Sequence, residues 1–260
     1  GLLIALMAVV HVYVAHFAVG GGLFLPVMET LARRENSPAI LAYVKRHTRF
    51  FLLLTMVFGG LTGVGIWFTI SLLSPAATAT LIHTFVFAWA AEWAFFLAEI
   101  VSLLVYYYAF ERMNGRDHIA VGWAYALFAW LSLFVINGVV CFMLTPGGWL
   151  QTGNFWQGFF NPSAYPSLVF RTLLAIEAAG LFALFTSSRI PEPEARERVV
   201  KLAALWAALP LVPLVATGWW YIQALPEAQQ AMVLAKSTEI PGLLRAFLYL
   251  SIVIFLGGLA

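Results

Sequence analysis

Seven stretches of this chain, near residues 3–27, 50–73, 82–110, 119–144, 165–187, 201–223 and 243–260, are apolar over lengths close to a bilayer span. About 20 such residues cross roughly 30 Å of hydrocarbon. In lipid every backbone N–H and C=O must be satisfied within the protein, so stretches of this length fold as helices. The predicted fold class is therefore an all-α polytopic membrane protein, a bundle of about seven transmembrane helices. Composition agrees: 62% of residues are hydrophobic and 10% are charged, against about 25% charged in a soluble domain. The lipid bilayer is the first partner, and no nucleic-acid partner is expected. The chain opens without Met and stops at the last apolar stretch, so we read residues 1–260 as one membrane domain of a longer protein.

The loops set a predicted orientation. Eleven Lys and Arg residues lie in three connections, among them Arg33, Arg34, Lys45, Arg46, Arg49, Arg112, Arg116 and Arg189. The alternate connections hold only Lys236. Basic loops stay in the cytoplasm, so the N-terminus, the 145–165 loop and the 224–242 loop are expected outside. The 224–238 stretch reads as a short amphipathic surface helix. Cys141 stands alone in an apolar run and reads as a small core hydrophobe. No CxxCH motif is present, so the chain attaches no c-type haem of its own.

Ionisable groups at membrane depth are costly and each is a candidate for function. His11 and His16 lie in the first stretch, Glu92 and Glu99 in the third, and Glu177 in the fifth. Seven residues turn a helix by about two full turns, so Glu92 and Glu99 share a face. His11 and Glu92 fall at a common depth, about 14 Å below the outer surface at about 1.5 Å per residue, where they face each other directly or across a haem iron. His16 points elsewhere and reads as a packing residue. His47, His83 and His118 sit near predicted helix ends and read as interfacial or capping groups, and the residues alone do not assign any of these four histidines to iron. Arg171 and Arg245, near outer helix ends, either snorkel to headgroups or bind anionic groups such as haem propionates. Trp219, Trp220 and Tyr221 form either an aromatic belt or the slot of a quinone pocket, with Glu227 or Glu239 as proton acceptor. The Gly20–Gly22 run suits close helix contact.

The segment "ALMAVVHVYVAHFAVGGGLFLPVMET" resembles the first helix of subunit I of cytochrome bd quinol oxidases, with His11 at the place of a haem-iron ligand. "GGLTGVGIWFTI" resembles the second helix of that family. "AEWAFFLAEIVSLLVYYYAFERMNGRDH" resembles the third helix and its loop, with Glu92 and Glu99 as the two acids. "VINGVV" and "NPSAYPSLVFRT" extend the similarity into helices four and five. The resemblance implies iron coordination at His11 and Glu92, and a proton route through Glu92 and Glu99. It also implies haem b and quinol or quinone as cofactors, and a place in a bacterial or archaeal plasma membrane. The acids stand one residue closer than the family spacing, which leaves open which of them faces iron.

The chain departs from the pattern at the low-spin haem. Arg171 stands where the family has a His ligand and Phe247 where it has a Met, the outer quinol loop is shortened to 223–242, and a further glutamate ligand would lie beyond residue 260. The expectation is a haem-b electron-transfer subunit of a quinol oxidoreductase. It would draw on the quinone pool and exchange electrons with c-type cytochromes on the outer face, or with a second membrane subunit. The alternatives are an oxygen-reducing bd-type oxidase subunit, a haem-free anchor and a proton-coupled transporter.

Overall fold

The structure is a computed structural model that describes residues 1–234 and 240–259. Among the described residues, seven helical spans are long and apolar enough to cross a membrane. Helix α1 covers Leu2–Arg34. The second span is α2, Pro38–Leu52, continued by a π-helical segment, Leu53–Gly59, into α3, Gly60–Leu73. A short helix α4, Pro75–Thr84, precedes α5, Val86–Tyr108, and α6, Gly115–Phe142. Two short helices, α7 (Trp149–Thr152) and α8 (Phe155–Phe159), fill the loop before α9, Ala164–Ser187. The sixth span is α10, Pro193–Ala208, and α11, Leu211–Gln223, and then come α12, Glu227–Leu234, and α13, Ile240–Leu259.

Local chemistry explains the boundaries. Between α1 and α2 only residues 35–37 lie outside helix, so the basic connection is two helix ends and not a loop. There Ser37 caps α2, its hydroxyl accepting from Ile40 N at 3.3 Å, and Pro38 takes the first helical position, where its missing N–H costs nothing. Asn114 caps α6 in the same way through Asp117 N, at 3.0 Å. The third apolar stretch is divided, because Phe85 leaves helical geometry between α4 and α5. Of the predicted surface helix at 224–238, Glu227–Leu234 form α12, and residues 235–238 lie outside the described residues.

Helix α1 is the centre of the bundle and packs on α2, α3, α6 and α9. Its Gly20–Gly22 run makes this possible. A Cβ on Gly20 would lie 1.8 Å from Ala175 O of α9, one on Gly21 would meet Phe51, and one on Gly22 would meet Tyr125. Phe17, Phe24, Phe51, Leu103 and Ala179 belong to the core built around these contacts. The opposite surfaces are apolar and open, as with Leu61, Val64, Phe68 and Phe87, which suits lipid.

Two glycines separate packing from helix propensity. Gly20→Ala should destabilise the protein by about 1–3 kcal/mol through overpacking. Gly60, also helical, has open space where a Cβ would go, and Gly60→Ala should be neutral or stabilising by up to about 1 kcal/mol. Thermal unfolding in detergent compares the two, and equal effects would refute the packing account.

Candidate functional site

Helices α5 and α6 are antiparallel neighbours, and their polar side chains meet at a seven-residue repeat. Ser132 donates to Glu92 Oε1 at 3.2 Å. One repeat along, the Tyr125 hydroxyl lies 3.0 Å from Glu99 Oε1 and 3.2 Å from Ala18 O of α1. One further repeat brings Tyr106 over His118, ring centroids 4.2 Å apart. Each step advances both helices by about two turns, so the same faces return. The result is a seam of polar groups along α5 and α6, closed on one side by α1. Glu92 and Glu99 thus share a face that looks onto α6.

At the far end of this seam is a cluster that sequence reasoning passed over. Glu29 of α1 is fully buried, as is His118. His118 Nδ1 lies 2.7 Å from Glu29 Oε2, and His118 Nε2 lies 2.7 Å from Tyr106 O. Tyr106 donates its hydroxyl to Glu29 Oε2 at 2.8 Å, and Arg33 donates to Glu29 Oε1 at 2.8 Å through Nε. His118 thus sits in the first turn of α6 and meets a carbonyl of the last turn of α5, as an end group does, but it is buried and paired with Glu29 as well. Glu29 and Arg33, four residues apart in a basic segment, were the available signal, but their partners Tyr106 and His118 come from two other helices.

The histidines of α1 go separate ways. His11, half-buried, turns to the second span: its Nδ1 lies 3.2 Å from Thr62 Oγ1. The Thr62 hydroxyl has backbone acceptors of its own, Phe58 O at 2.9 Å and Gly59 O at 3.0 Å, so at His11 it accepts the Nδ1 hydrogen and leaves Nε2 free. The π-helical segment ends at Gly59, three residues before Thr62, and widens the second span where His11 packs. Among the described residues no hydrogen bond or ion pair joins His11 to Glu92. His16 is buried, with Nδ1 on Val12 O at 2.6 Å and Nε2 unpartnered. His47 is not interfacial but core: it stacks on Tyr43 and its Nδ1 meets Thr186 Oγ1 at 2.8 Å. His83 is exposed at the end of α4.

Arg171 is half-buried on α9. Its Nε donates to Ser167 Oγ at 3.0 Å, and Ser167 donates to Asn137 Oδ1 at 2.8 Å. Tyr221 stands beside Ser167 and Arg171 and stacks on Phe170. No carboxylate pairs with Arg171 among the described residues. Trp219 and Trp220 are exposed, so of that trio Tyr221 alone turns into the bundle. Arg245 is exposed, its Nε 3.4 Å from Pro241 O. Glu227 is exposed at the start of α12, and Glu239 lies outside the described residues. Cys141 is buried, its Sγ 3.7 Å from Asn137 Oδ1.

The chain belongs to the cytochrome bd terminal oxidase subunit I family, whose model matches residues 2–242. It is a multi-pass protein of the plasma membrane. Its fold is similar to that of the bd oxidase from Geobacillus thermodenitrificans, with a TM-score of 0.76 at 22% identity. That likeness covers 89% of this chain and 56% of the other, so the chain spans little more than half the length of that structure. No curated protein matches the chain.

The Glu29 cluster has a measurable signature. Removing one member of a buried hydrogen-bonded cluster costs about 1–3 kcal/mol, because its partners are left unsatisfied. Glu29→Ala and His118→Ala should each lose stability on that scale, and the double variant should lose clearly less than both together. Strict additivity in thermal or denaturant unfolding would show that the two residues do not act as a pair.

Proposed function

We propose that the chain is a membrane-embedded electron-transfer subunit of a quinol or quinone oxidoreductase that holds haem b at His11. One observation carries the reading: Thr62 fixes the Nδ1 side of His11 and leaves Nε2 as a free donor. This is how ligating histidines are oriented, with the second nitrogen satisfied by a neighbour. Among the described residues no group of three or more His, Cys, Asp or Glu could hold a bare metal ion. A haem brings most of its iron's donors with it, so a histidine such as His11 would hold it, and the residues present fit it. Bound there, haem would supply a one-electron carrier.

The other residues take roles around that centre. Glu92, on the acid-bearing face of α5, is the candidate second ligand or the nearest proton acceptor. Tyr125 has one hydroxyl hydrogen and two acceptors, Ala18 O and Glu99. A proton on Glu99 lets Glu99 donate to Tyr125 and Tyr125 donate to Ala18 O, so the pair can hold a proton and pass it along the seam. Arg171, without a carboxylate partner, suits a propionate or another anionic group. Tyr221 and Ser167 beside it add polar contacts for a quinol, and Trp219, Trp220 and Arg245 border that region nearer the headgroups. In the orientation read from the basic residues these groups lie towards the outer face, where a c-type cytochrome or second subunit would exchange electrons. Residues 1–260 would act there as one membrane domain.

Haem content of the purified protein tests the centre. His11→Ala should lose the reduced-minus-oxidised haem spectrum, whereas His16→Ala should keep it. Full haem retention with an unchanged spectrum in His11→Ala would remove His11 as the ligand. Oxygen consumption driven by quinol separates this reading from an oxygen-reducing oxidase. Glu99→Gln should slow quinol-driven turnover by about 100-fold, the scale for losing a positioned proton carrier, and wild-type turnover would place the proton route elsewhere.

A further inference from the structure

Glu177 is a buried acid that neither the α5–α6 seam nor the His11 site uses. It is 5% exposed, and its Oε2 has no hydrogen-bond partner. No ion pair reaches it among the described residues. Two contacts fix what it faces. The Phe170 ring lies 3.2 Å from where a Cβ on Gly218 of α11 would be, and a Cβ on Gly180 would lie 2.4 Å from Ala207 N of α10. Positions 170, 177 and 180 follow at intervals of seven and three, so they share one stripe of α9. α9 runs antiparallel to the α10–α11 span. The two contacts therefore bracket Glu177 and set it level with Pro210 and Leu211.

That level is where the sixth span breaks. α10 ends at Ala208 and α11 starts at Leu211. Pro210 is buried on the stripe that also carries Ala203, Ala207 and Leu214, the side that meets α9. Proline has no N–H. Pro210 thus leaves the Trp206 carbonyl without its usual helical partner on the side that meets α9, where the Trp206 backbone lies against Gly180, while the Leu209 carbonyl freed by Pro213 lies on the exposed face. The polar group that the break offers on the side of Glu177 is therefore an acceptor. An ionised carboxylate among acceptors, away from water, has no stabilising partner. Positive charge is the missing component, and broken membrane helices supply backbone carbonyls for such ions.

We propose that Glu177 and the α10–α11 break form an intramembrane site for a monovalent cation, H⁺ or Na⁺, held by the carboxyl oxygens and the freed Trp206 carbonyl. The test uses the purified whole protein and dicyclohexylcarbodiimide, an apolar reagent that couples to protonated carboxyls within membranes. Mass spectrometry locates the adduct, in choline chloride and in NaCl. The adduct should form on Glu177 in choline and be absent from Glu177→Gln. Suppression by Na⁺ of tenfold or more identifies a sodium site, and equal labelling in both salts identifies a proton site. Pro210→Ala restores the N–H that bonds Trp206 O, and should change the Glu177 labelling rate at least fivefold. An acid that merely packs between helices would label at the same rate with and without Pro210, and that result overturns the proposal. So does the absence of an adduct in either salt together with a melting temperature indifferent to Na⁺.

Discussion

The bundle interior lies at membrane depth and is lined mainly by apolar side chains, and nearly every polar choice in the chain follows from that. A hydroxyl in such surroundings needs a protein acceptor, and the threonines and serines of the spans find one in their own helix. Thr48, Thr55, Thr69, Ser102 and Thr172 each donate to the carbonyl four residues back. These side chains carry polarity through the membrane without disturbing the packing. Groups too large or too charged for that solution must be met by another helix. Glu29, Glu92, Glu99 and Arg171 are all met in this way, and they mark the lines along which helices had to be brought together.

The small residues of α1 let these polar groups reach one another. With Gly20 against the backbone of α9 and Gly22 against Tyr125, α1 comes close enough for Ala18 O to accept from Tyr125 and for Glu29 to reach His118. Close approach and polar pairing are therefore one design. A bulkier helix in the same place would take Ala18 O from Tyr125 and Glu29 from His118.

Much of the fold was legible in the sequence, because apolar length and the i to i+7 spacing of Glu92 and Glu99 are one-dimensional signals. The family resemblance was legible too, since it rests on contiguous segments. What escaped was set by contacts between distant segments. His47 and His118 looked like end groups because they lie near basic residues, yet α2 extends past those residues and carries His47 into the core, and His118, in the first turn of α6, is buried against Glu29 of α1. The partners of Glu29 come from α5 and α6, about 80 residues away in sequence, and no local pattern announces them. The two exposed tryptophans and the inward Tyr221 are adjacent in sequence, and only helical phase against α9 separates them.

The π-helical segment Leu53–Gly59 has a consequence for how this chain tolerates insertion and deletion. A π turn holds an additional residue within an otherwise α-helical path. Deleting one residue between 53 and 59 would let the segment relax to α-helix and keep every named side chain of the second span. The phase of α3 relative to α2 would then change little, because the residue removed is the additional one, and Thr62 would stay near His11 while Phe51 stayed against Gly21. A homologous chain with one residue fewer there would keep its threonine beside its histidine, whereas a deletion in α3, which has no additional residue to give up, would turn the helix beyond it by about 100°.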